Sequence, residues 1–101
     1  MVIIELPNFT KSIGKFLSDD AYKDLQEYLV HSPDMGDLIP KTGGLRKLRW
    51  ASEGQGKRGG FRVIYFWVTA DDEIIMVSIY KKSMQDDLRK EQYKKLTEEI
   101  S

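Results

Sequence analysis

Residues 43–68 read GGLRKLRWASEGQGKRGGFRVIYFWV, and the pattern in this stretch decides the fold. In LRKLRW (45–50), Leu48 and Trp50 alternate with Lys47 and Arg49. That is the period of a strand with one apolar and one basic face. FRVIYFWV (61–68) is a run of β-branched and aromatic residues and predicts a second strand, with Arg62 inside it. ASEGQGKRGG (51–60) between them reads as a long Gly-rich hairpin bend. Beyond the TADDE connection (69–73), IIMVSIY (74–80) predicts a third strand. Three strands joined in this way form an antiparallel meander.

Outward from the meander the periodicity changes. VIIEL (2–6) predicts a short strand ended by Pro7. From Asn8, the residues Phe9, Ile13, Phe16 and Leu17 recur at helical spacing. Ser18 then caps a second helix, with Asp19 and Asp20 in its first turn and Tyr22, Leu25 and Leu29 as its stripe. The SPDMGD turn (32–37) stops it. At the other end, Ser83 with Asp86 spells a capping box opening a final helix, with Met84, Leu88, Leu96 and Ile100 along one side. The expected order is β-α-α-β-β-β-α, one α+β domain over residues 1–101, with helices covering one side of a small antiparallel sheet.

Composition narrows the chemistry. The chain has no cysteine, which excludes disulfides, thiolate zinc sites and a cysteine nucleophile. Its one histidine, His31, ends the second helix without a partner cluster, so a histidine-based nuclease or triad is not expected. The carboxylates fall as pairs at helix starts and in turns, where capping explains them, and no metal or other cofactor is expected. MVIIELPNF carries no basic leader and an early Glu5, so we expect no signal peptide, no membrane association and a cytoplasmic protein.

The net charge of zero conceals a steep asymmetry. Residues 1–40 carry three cations and seven anions, residues 41–62 seven cations and one anion, and residues 63–101 six cations and eight anions. The middle segment alone is therefore +6. GQGKRG (54–59) matches G-x-G-x-x-G in form, but a strand follows it where a dinucleotide site needs a helix. Lys57 is followed by Arg58 instead of Ser or Thr, so it is no phosphate-binding loop of the NTPase type. The strand cations are a different matter. Lys47 and Arg49 share a face, the hairpin brings Arg62 close to them, and Lys81 and Lys82 leave the third strand at the same end. Like charges so placed repel one another, and an anionic ligand, phosphate above all, relieves that repulsion.

The same residues carry a resemblance. GGLRKLR, then GKRGGFRVIYFW, then IYKKSMQDDL leading into a final helix resemble the RelE/ParE superfamily of bacterial toxins, and within it the HigB-like, RelE-type branch. The likeness covers nearly the whole chain. It implies a RelE-like fold and a toxin of a type II toxin–antitoxin system that cleaves mRNA in the A site of the 70S ribosome. A cognate antitoxin of helix-turn-helix type, from an adjoining gene, is the implied partner. By position, Lys47 and Arg49 match the two basic residues of the family's second strand, Arg62 the arginine that steadies the scissile phosphate, and Lys82 a further arginine. The family's tyrosine in the last helix falls near Leu88 and is absent there. Tyr80 and Lys81 are the nearest candidates for proton transfer, and Lys41, Arg46, Lys57 and Arg58 are candidates for holding RNA or ribosome. Two other readings share the fold: a ParE-like inhibitor of DNA gyrase, and a non-catalytic RNA-binding module.

Overall fold

The computed structural model describes residues 1–51, 60–85 and 87–100. In chain order the elements are β1 (Val2–Glu5), α1 (Pro7–Phe16), α2 (Asp19–His31), β2 (Asp37–Leu38), β3 (Leu45–Trp50), β4 (Phe61–Val68), β5 (Glu73–Lys81) and α3 (Lys90–Ile100). They form an α+β fold around a five-stranded sheet in the order β1-β5-β4-β3-β2. The expected meander is β3-β4-β5, antiparallel throughout. β1, however, pairs parallel with β5, Val2 opposite Glu73, so the sheet is mixed and not purely antiparallel. The two-residue β2 adds an edge beside β3 that periodicity did not foretell. Two residues are too few to show alternation.

The helices also differ from expectation, because they cover both faces. α1 and α2 pack on the first face, where Phe9, Leu25 and Leu29 meet Leu48, Phe61, Val63, Tyr65, Ile74 and Met76. Pro7 opens α1, where its missing N–H costs nothing, and Ser18 accepts the Ala21 N–H at 3.1 Å to open α2. α3 covers the second face: Leu88, Tyr93, Leu96 and Ile100 lie against Leu45, Ile64 and Val77. Strands buried on two sides lose the clean alternation of a one-sided sheet, which explains the continuous apolar run of β4.

α3 begins later than the Ser83 capping box implied. Ser83 lies in a turn, where the N–H groups of Met84 and Gln85 both reach the Lys81 carbonyl, and Met84 is 78% exposed. Asp86, the other half of that box, lies outside the described residues. The helix is capped instead by Gln92, whose Oε1 accepts the Arg89 N–H at 2.8 Å. A side chain in the first turn reaching back to the cap residue is the same device in another register.

One irregularity interrupts the β4–β5 ladder. Ile64 pairs with Ser78 while Tyr65 pairs with Met76, so Val77 is an extra residue in β5. Strict alternation from Ile75 and Val77 would send Ile79 to the second face. The bulge reverses the order beyond it: Ile79 joins the first core and Tyr80 the second.

Candidate functional site

Two strands bring two of the predicted cations onto one rung, and a third strand adds Tyr80 to it. Arg49 of β3 stands directly opposite Arg62 of β4, and Arg62 stands opposite Tyr80 of β5. Lys47, two residues before Arg49, lies on the same face opposite Ile64. Arg49 is exposed, whereas Arg62 keeps only 7% of its surface open to solvent. Among the described residues, the Arg62 guanidinium has a single long hydrogen bond, 3.4 Å from Nη1 to the carbonyl of its own neighbour Phe61. A buried cation facing a second cation across a rung is an arrangement that folding alone does not favour.

The site is completed from α3 and the turn before it. Lys47 Nζ lies 3.2 Å from Asp87 Oδ1. The same oxygen accepts the Tyr93 hydroxyl at 2.6 Å and the Leu88 N–H at 2.8 Å. These contacts have opposite effects on the two acids. The Tyr93 hydrogen bond, with Lys47 in support, holds the Asp87 carboxyl below the usual carboxylate range. Burial first, then the Asp87 carboxylate, pushes the Tyr93 phenol well above its ordinary value, with Tyr80 adding a smaller push in the same direction. Tyr93 thus stays a protonated donor at any physiological pH.

Tyr93 was missed at the sequence level. Its spacing to Leu96 and Ile100 (i, i+3, i+7) reads as packing, and it does pack on the second core. The available signal was a hydroxyl on an apolar stripe, whose polar end needs a partner at the helix start. Leu88, where the family tyrosine was sought, precedes α3 and contributes to the second core.

The remaining candidates separate. Lys82 is exposed at the same end of the sheet, its N–H bonded to the Gly60 carbonyl at 3.1 Å. Lys81 pairs with Phe61, a first-face residue, and so takes the face opposite to Arg62. Arg46 also leaves the group: its Nη1 reaches the carbonyls of Asp34 (3.0 Å) and Gly36 (2.8 Å), tying down the loop after α2. Lys41 is exposed in the turn before β3, beyond the end of that strand remote from Arg49. Lys57 and Arg58 lie outside the described residues. His31 lines a groove between β1 and α2 with Ile3, Lys23 and Val30, away from the cation rung. No three His, Cys, Asp or Glu side chains among the described residues are placed to hold a metal ion. No helix among them is long and apolar enough to cross a membrane.

The architecture has a solved counterpart. The structure of the E. coli toxin RelE, a double arginine-to-alanine mutant in the free state, superposes with a TM-score of 0.60. The match covers 84% of this chain and 86% of that one at 17% sequence identity. The chain has the fold of RelE. At that identity the likeness concerns the backbone architecture, and no protein-family model matches the sequence.

Proposed function

We propose that this RelE-fold chain is the toxin of a type II toxin–antitoxin system, of the HigB-like branch, and that it cleaves mRNA in the A site of the ribosome. The observation that carries this reading is the Arg49–Arg62 rung: two cations facing each other, one of them buried, whose repulsion a phosphodiester would relieve. The bulge in β5 supports the same reading, since it brings Tyr80 to the face of Arg62.

In this mechanism the RNA supplies its own nucleophile. The 2′-oxygen attacks the adjacent phosphorus, the bond to the 5′-oxygen breaks, and the products are a 2′,3′-cyclic phosphate and a 5′-hydroxyl. Arg62 and Arg49 stabilise the charge that builds on the non-bridging oxygens, each contributing on the order of 10²–10³ in rate if it acts like an oxyanion donor. Lys47 and Lys82 hold the flanking backbone. Tyr93, kept protonated by its surroundings, suits the acid role: it donates to the leaving 5′-oxygen or to a phosphoryl oxygen. The proton of the 2′-hydroxyl passes to a group in its basic form: the Tyr80 phenolate, the neutral amine of a lysine, or a group of the ribosome. Alignment for in-line attack comes from the constrained codon, where near-attack geometry alone contributes up to about 7–11 kcal/mol. An antitoxin from an adjoining gene either lays acidic chain over Lys47, Arg49 and Arg62 or makes the complex too bulky for the A site.

The test compares one message free and in a programmed ribosome, at matched salt, with product ends identified chemically. Efficient cutting only on the ribosome, leaving a cyclic phosphate, is the expected result. DNA damage without mRNA cleavage after induction in cells would favour gyrase inhibition and overturn the nuclease reading.

A further inference from the structure

The anion already seated in the site belongs to the protein. Asp87 Oδ1 accepts from an ammonium (Lys47, 3.2 Å), a phenol (Tyr93, 2.6 Å) and a backbone N–H (Leu88, 2.8 Å). One charged, one neutral and one main-chain donor converging on a single oxygen is the set that a phosphate oxygen recruits. Capping does not require this arrangement. Gln92 already serves the start of α3 at Arg89, and Asp87 lies outside that cap. Nor is the carboxylate locked in place, because its side chain is 59% exposed and Lys47 is 25% exposed. A half-solvated ion pair of this kind is weak and exchangeable.

We propose that Asp87 is an internal stand-in for the substrate phosphate: it occupies the Lys47–Tyr93 donor pair in the free protein and must leave when RNA enters. This rests on the reading of the cation rung as an RNA site. While Asp87 is seated, Lys47 is compensated and Tyr93 donates to a carboxylate, so stray RNA meets a partly neutralised face. RNA held in place by a larger assembly brings enough phosphate to displace the carboxylate, and its departure hands both donors to the substrate. Asp87 is thus a positioning residue that sets the threshold for binding and takes no part in the chemistry.

The experiment measures binding of a fully 2′-O-methylated RNA oligonucleotide, which lacks the attacking hydroxyl, by fluorescence anisotropy over a range of salt. Asp87→Asn should bind on the order of tenfold more tightly at low salt, with the slope of log K against log salt steeper by about 0.7, the increment for one added contact on a single strand. Removing any negative charge favours RNA, so Glu91→Gln, which neutralises an exposed carboxylate in the first turn of α3, serves as the matched control. Its gain should stay below about twofold, since solvent and salt screen it. In a Lys47→Gln background the gain from Asp87→Asn should collapse to the level of that control. Equal gains from Asp87→Asn and Glu91→Gln, or a gain that survives Lys47→Gln, would overturn the stand-in. If Arg62→Ala and Lys47→Gln bind as the wild type does, the RNA site itself is misassigned and the stand-in falls with it.

Discussion

Replacing Arg62 by methionine should make the protein more stable and far less active, and both effects follow from the rung it shares with Arg49. Methionine keeps most of the arginine stem, so the strand and the second core lose little packing. The change removes a buried cation that faces a second one across the sheet. For two unit positive charges taken as roughly 8 Å apart, at an effective dielectric of about 20, the repulsion is about 2 kcal/mol. Screening at exposed Arg49 roughly halves that figure. Relief of the Arg62 desolvation restores about as much again, so the net stabilisation is about 1–3 kcal/mol. In a chain of 101 residues this raises Tm by roughly 5–20 °C. Urea unfolding followed by circular dichroism gives the free energy, and an unchanged denaturant slope confirms that only stability moved. Cleavage on programmed ribosomes should fall by about 10²–10³ in the same variant. A loss of stability in Arg62→Met would refute the argument, because Arg62 would then be a structural residue. A stable variant that cleaves normally would refute the phosphate role.

Three further outcomes are expected. Tyr93→Phe keeps the ring against the second core but deletes the hydroxyl, so stability should change little while ribosomal cleavage drops about 10²-fold or more; the carboxyl pKa of Asp87, read by NMR, should rise towards its ordinary value because its largest support is gone. Alkaline titration at the phenolate absorbance band should show Tyr22, Tyr65 and Tyr93 failing to ionise near pH 10. Their folded pKa values are raised, so the stability they contribute is fully present below pH 10 and is lost above it, and their ionisation should coincide with unfolding. Gly36→Ala should cost about 1–3 kcal/mol in urea unfolding, since the added Cβ would lie 2.7 Å from the Tyr65 hydroxyl oxygen that accepts the Gly36 N–H; an unperturbed variant would mean that the loop has slack.

What could be read from the residues alone followed the range of the interaction. α1, α2 and the β3-β4-β5 meander are specified by neighbours in sequence: Phe9 and Ile13 by helical spacing, Ser18 by its cap, Leu48 and Trp50 by alternation. The Lys47, Arg49 and Arg62 grouping was legible for the same reason, since a hairpin makes neighbours of its strands. The β1–β5 pairing was not, because Val2 meets Glu73 with most of the chain between them and no local pattern encodes that partner. Tyr93 and Asp87 were hidden by the turn that joins β5 to α3. Ser83 and Asp86 spelled a helix start there, and Gln92 supplied the real one a turn and a half later. Arg46, a candidate for holding RNA, is out of phase with Lys47 and so lies on the other face, where its guanidinium holds the carbonyls of Asp34 and Gly36.

The dependence of the site on α3 bears on how the protein is made. Lys47, Arg49, Arg62 and Tyr80 all precede Asp87 and Tyr93 in the chain, and β1 waits for β5 before it has any partner in the sheet. During synthesis the N-terminal helices can form early, but the constellation cannot close until the segment holding Tyr93 has cleared the machinery that is producing it. A nascent or prematurely terminated chain therefore exposes a basic sheet without its phenol or its internal carboxylate. Under the proposed function, such a fragment would keep the cations that hold nucleic acid but lack both Tyr93 and Asp87. Under the same proposed function, a chain still being written would lie beside the translating ribosome before it had the groups to act on it.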